Sequence, residues 1–163
     1  ITSTPTPQLR VNVPENWQIY TSQNHKFQLA HPEKTETSTN PQQGIKLLQT
    51  GPSQAQGTEL SDGFLLVIDS GAYEQKSFEE FVQAQAENQQ NKPTTQSVSQ
   101  TRQTMINDHN AYAFDTNGLG KSTYYYIEKE DNKYLKIIET IRDPNNQAYQ
   151  ETIEQIYSTL IFI

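Results

Sequence analysis

The chain has 163 residues, enough for one domain with a substantial core. It carries 12 Lys and Arg against 19 Asp and Glu, a net charge of −7 with no basic cluster, which argues against general binding to nucleic-acid backbones. With no cysteine, disulfides, thiolate catalysis and cysteine-ligated zinc or iron–sulfur sites are excluded.

Hydrophobic residues make up 33% of the chain, so a core must come from periodic segments. Residues 1–15, opening "ITSTPTPQ", are rich in Thr, Pro and Ser and read as a flexible linker. Such a tether commonly follows an export signal or lipoprotein anchor, so an extracytoplasmic, membrane-tethered protein is expected. No apolar run approaches the roughly 20 residues of a membrane span.

In "NWQIYTS" (16–22), Trp17, Ile19 and Thr21 alternate with Gln18, Tyr20 and Ser22, the pattern of a strand. "FQLAHP" (27–32) is a second strand, ended by Pro32, and the polar stretch 33–43 is loop by composition. "GIKLLQT" (44–50) is a short strand, residues 51–63 are loop, and "FLLVIDS" (64–70) is apolar nearly throughout, as in a strand covered on both faces. Ser77 and Glu80 form a capping box ahead of Phe78, Phe81 and Val82, predicting a helix over about 77–90. Strands are expected at 97–107, 110–117, 122–130 and 133–143, the last three joined by tight polar turns into an antiparallel meander. A second helix is expected at about 145–159, opened by Pro144, with Ile153, Ile156, Tyr157 and Leu160 on its apolar stripe. "LIFI" closes the chain as an extended segment. The order gives an α+β class, an antiparallel β-sheet covered by helices.

The segments "NWQIYTSQNHKFQLAHP", "SFEEFVQAQ" and "ETIEQIYSTLIFI" resemble the PsbP-like domain of photosystem II luminal proteins and bacterial lipoproteins. Trp17, Tyr20, Phe27, Leu29 and Pro32 match its opening, and Ser158, Thr159, Leu160 and Phe162 its ending. The tryptophan that often follows the proline of the second strand is missing here. The resemblance covers about residues 16–163, read as one domain. It implies an α/β/α sandwich and an extracytoplasmic protein–protein interaction role, and it carries no catalytic residue.

"DTNGLGKST" (115–123) ends like a phosphate-binding loop, but Asp115 stands where the motif needs its first glycine. A strand pattern follows instead of the helix whose N-terminus would meet a phosphate. A hairpin bend is the better reading, and no nucleotide is expected. His25, His31 and His109 lack metal-ligand spacing and read as surface turn residues. Ser70 beside Asp69 reads as the start of a loop rather than a nucleophile, and no Gly-x-Ser-x-Gly elbow exists. Neighbouring acids such as Glu79 and Glu80, or Glu128 and Glu130, suit a helix start and a turn. No catalytic, cofactor-binding or metal-binding residue is therefore assigned, and no cofactor. Lys121, Tyr124 and Tyr126 are the candidate interaction patch, since tyrosine is favoured at interfaces. The leading expectation is a non-enzymatic domain that binds another protein near a membrane surface. A small-ligand or metal carrier and an unrecognised hydrolase are the alternatives.

Overall fold

The computed structural model describes residues 13–57 and 59–163; most of the expected linker at 1–15 lies outside the described residues. The meander sets the frame. Strands β8 (His109–Asn117), β9 (Lys121–Lys129) and β10 (Lys133–Arg142) pair antiparallel in sequence. Asp131 and Asn132 take positive φ of 60° and 54°, as a tight hairpin turn requires. Beyond β10 lie β5 (Gly63–Ala72), β4 (Gly44–Thr50) and the edge strand β3 (Glu36–Asn40). On the other side, β6 (Ser97–Val98) and β7 (Arg102–Ile106) both pair with β8, completing an eight-stranded sheet with β7 off its main path. A separate three-stranded sheet is made by β1 (Trp17–Ser22), β2 (Phe27–Pro32) and β11 (Ile161–Phe162).

Alternation along the strands then assigns two faces. Phe64, Leu66 and Ile68 of β5, Leu135 and Ile137 of β10, and Ile127 of β9 turn to one face and are wholly buried. Against them pack Phe27 and Leu29 of the small sheet and helix α2 (Tyr149–Ser158) through Ile153, Ile156 and Tyr157. The Thr159 hydroxyl ties these layers together: it accepts the Ala30 amide at 2.8 Å and donates to the Ile156 carbonyl at 2.6 Å. The opposite face carries helix α1 (Phe78–Gln90), whose Phe78, Phe81 and Val82 meet Tyr73, Phe114 and Tyr126. Ser77 caps α1 by accepting the Glu80 amide at 3.2 Å.

Helix α1 covers only part of its face, so the fold is a mostly antiparallel sheet with two helices rather than a sheet clad on both sides. On β5, Leu65 and Val67 stay partly exposed, which corrects the doubly covered strand expected there. Three other expectations shift. The stretch 33–43 contains β3, an exposed edge strand of Glu, Ser, Thr and Asn that needs no apolar alternation. The strand expected at 97–107 breaks in two, because the Ser99 hydroxyl accepts the Asp115 amide at 2.8 Å between the paired segments. Helix α2 starts at Tyr149: Asn146 and Ala148 take positive φ of 52° and 59°, and Asp143 accepts the Gln147 amide at 2.6 Å in a turn.

Candidate functional site

The residues able to do acid–base or nucleophilic work are tied into structural bonds. In the turn after β1, His25 Nδ1 lies 2.7 Å from Ser70 Oγ and 3.9 Å from Asp69 Oδ1. A relay needs the nucleophile on one ring nitrogen and the carboxylate on the other. Here both approach the same nitrogen. Asp69 is further engaged by the Ser70 amide at 2.8 Å and by Lys136 Nζ at 3.9 Å. The cluster pins the β1–β2 turn to β5, and the Lys129 ammonium adds a 3.0 Å bond to the His25 carbonyl. His31, expected at the surface, is buried because it shares the inward parity of Phe27 and Leu29. Its Nδ1 bonds the Pro32 carbonyl at 2.9 Å. The His109 ring lies tilted against Phe162, 4.4 Å between centroids, and burial holds its pKa below the usual value. Among the described residues, no three His, Asp or Glu side chains are grouped to hold a metal ion.

Two carboxylates on the α2 face have opposite environments. Glu139 is 6% exposed and accepts the Tyr157 hydroxyl at 2.7 Å. Burial pushes its pKa up, and the Tyr157 bond only partly opposes this. Burial would also raise Asp115, but hydrogen bonds from Thr123 at 2.8 Å and from Arg102 at 3.2 Å to each oxygen hold it below the carboxylate range. Thr123 of β9 stands between the two in the ladder, opposite Glu139 on one side and Asp115 on the other. Tyr157→Phe should therefore cost about 2 kcal/mol where Glu139 is ionised, because a buried carboxylate then loses its donor. The loss should shrink as the pH falls through Glu139's raised folded value, so it is smaller at about pH 4 than at about pH 8. Urea unfolding at the two pH values measures this; an equal loss at both would contradict the role given to Glu139.

The predicted patch divides. Lys121 is exposed at the start of β9, and its carbonyl accepts Arg142 Nη1 at 3.2 Å. Tyr124 is half-buried beside α1, with its hydroxyl 3.4 Å from Gln89 Oε1. Tyr126 is only 2% exposed, packed 5.6 Å from Phe81 and 5.5 Å from Tyr134 between ring centroids, so no partner reaches it. Its neighbours on α1 and β10 take that face, which removes Tyr126 from the patch.

Two surface features were not read from the sequence. One is the open half of the α1 face. There the cross-strand rows Lys46–Val67–Ile138 and Leu48–Leu65–Thr140 run over β4, β5 and β10. Leu48, Leu65, Val67 and Ile138 are all partly exposed, and the loop carrying Gln54 and Leu60 lies beside Leu48 and Leu65. The other is a polar cleft of about 330 Å³ between the β8–β9 hairpin and the chain that follows α1. The glycines of "GLG" belong to its walls. A Cβ at Gly118 would overlap the Thr94 carbonyl, and one at Gly120 the Arg142 guanidinium.

No protein-family model matches the chain, and no curated protein matches it. Solved structures do. The solution structure of cyanobacterial PsbP (CyanoP) from Synechocystis sp. PCC 6803 aligns with a TM-score of 0.58 at 8% identity, covering 98% of this chain and 100% of that one. The crystal structure of LpqN, involved in cell envelope biogenesis of Mycobacterium tuberculosis, aligns with a TM-score of 0.52 at 11% identity, covering 91% of this chain and 85% of that one. The fold is PsbP-like. Among the described residues, no helix is long and apolar enough to cross a membrane.

Proposed function

We propose that this PsbP-like domain acts outside the cytoplasm, without chemistry of its own, by docking another protein at or near a membrane surface. The observation that carries the reading is the open half of the sheet. Leu48, Leu65, Val67 and Ile138 present adjoining apolar groups that α1 leaves uncovered. Such a patch of adjoining apolar groups fits a protein partner. Lys46 lies in one of these rows, so the complementary surface is apolar with an acidic group at its edge. Extracytoplasmic placement is supported by the likeness to LpqN, a protein of cell envelope biogenesis, and by the Thr/Pro-rich residues 1–15, which suit a spacer to a lipid anchor. The absence of chemistry is supported by His25, Ser70 and Asp69, which are bonded as a strut.

A photo-crosslinking side chain at Val67, in the full chain expressed in its native membranes, should give a discrete protein adduct. The same group at Gln155, exposed on α2, should give none. Leu65→Glu should abolish the Val67 adduct. Equal labelling from both positions, or none from Val67, would remove the docking face. Recovery of the protein in the cytoplasmic fraction would remove the localisation.

A further inference from the structure

The hairpin that resembles a phosphate-binding loop builds a different kind of pocket. Its floor is a row of hydroxyls on neighbouring strands: Thr116 of β8 stands opposite Ser122 of β9, and Ser122 Oγ lies 2.8 Å from Thr140 Oγ1 of β10. The side-chain amides of Gln89 and Asn117 line it as well, so the pocket offers both donors and acceptors at close spacing. The half-buried Tyr124 supplies a flat apolar wall. The charged groups in the lining are Lys92 and Arg142; among the described residues, no carboxylate reaches it, although the chain as a whole is at −7. Arg142 is fixed in place, since its Nη1 donates to the Lys121 carbonyl at 3.2 Å and to its neighbour Ile141's at 2.8 Å. Its other terminal nitrogen lies against Gly120, where only a glycine leaves room.

From this cleft we infer a binding site for a small hydroxylated ring that carries one anionic group, the chemistry shared by sugar acids and sugar phosphates. The hydroxyls and amides match ring hydroxyls, Tyr124 takes the apolar face of the ring, and Lys92 with Arg142 takes the anion. A bare anion leaves the hydroxyl row unused, and a neutral sugar leaves two cations unanswered. A nucleotide triphosphate does not fit the arrangement: Lys121, which a phosphate loop would need, is not in this cleft, and strand β9 follows the loop where a helix would be required. The cleft adjoins the open sheet face and shares Thr140 with it, but Lys92, Thr94 and Gly118 lie outside those rows, so Lys92→Gln and Leu65→Glu test the two separately.

The test is a titration of the isotope-labelled full chain with D-glucuronate, glucose 6-phosphate, glucose and inorganic phosphate, followed by amide NMR. One or both anionic sugars should move the amides of Thr94, Asn117, Gly118 and Gly120, with a dissociation constant on the order of 1 mM. Which of the two binds identifies the anionic group. Glucose and inorganic phosphate should each bind about tenfold more weakly. Lys92→Gln, a change at an exposed position, should weaken the anionic sugar by about fivefold and leave the rest of the spectrum in place. No titrating shift at these amides overturns the assignment. So does equal binding of inorganic phosphate, or affinity untouched by Lys92→Gln.

Discussion

Unfolding is expected to set in steeply above about pH 10, over a narrow range. Eight tyrosines have pKa values raised above the usual 10.0, with burial as the first cause in each: Tyr73, Tyr112, Tyr124, Tyr125, Tyr126, Tyr134, Tyr149 and Tyr157. Tyr125 and Tyr149 are pushed up to about 12, Tyr126 is pushed higher, and burial raises Tyr157 well above its usual value. Each of these phenols keeps its proton in the folded chain after the unfolded chain has lost it. The stability it contributes is therefore complete below pH 10.0 and disappears as the pH rises through the folded value. One such group removes about 1.4 kcal/mol per pH unit, so the four most shifted together remove about 5–6 kcal/mol per unit. Total stability is about 5–15 kcal/mol, so roughly two pH units suffice to unfold the chain. Lys129, whose pKa burial lowers, acts in the opposite sense but is a single group. Phenolate absorbance and far-ultraviolet circular dichroism, recorded together, should change in one cooperative step. Gradual phenolate titration with the fold intact beyond about pH 12 would contradict the burial of these rings.

The same tyrosines show what the sequence made legible. Period-two alternation in "STYYYIEKE" assigns Tyr124 and Tyr126 to one face and Tyr125 to the other, and the α1 and α2 clusters divide them in that way. The Asp131-Asn132 turn and the Ser77 cap were readable because their chemistry is local. What was not readable depends on distant partners. Glu139 finds Tyr157 on a helix 18 residues later, and His25 finds Ser70 across 45 residues, with nothing in either neighbourhood to mark the pairing. The edge strand β3 has no apolar residue to reveal it. Tyr126 was offered to a partner because its parity is visible in sequence, but the rings that cover it are not. The glycines at 118 and 120 invited a phosphate reading; their reason is the closeness of the Thr94 carbonyl and the Arg142 guanidinium, which only the fold brings there.

Truncating Phe64 to alanine should lower the unfolding free energy by about 3–5 kcal/mol, whereas Val67→Ala, three residues along the same strand, should cost less than about 1 kcal/mol. The contrast follows from sidedness. Phe64 is fully buried, with its ring 6.1 Å from that of Tyr149 and the layer of α2 and β2 around it, so its removal leaves a cavity that rigid neighbours cannot fill. Val67 has the opposite parity and lies on the half that α1 leaves open, between Lys46 and Ile138, where water or a repositioned side chain can take the lost volume. Urea unfolding of the two variants measures the difference directly. An equal loss would mean that the open half is covered, as by a second copy of the chain, and the loss at Val67 would then depend on protein concentration. With the expected result, the folding core and the proposed docking surface lie on opposite faces of β5. Val67→Ala should then weaken partner capture without lowering stability appreciably, and Phe64→Ala should lower stability without touching the docking surface.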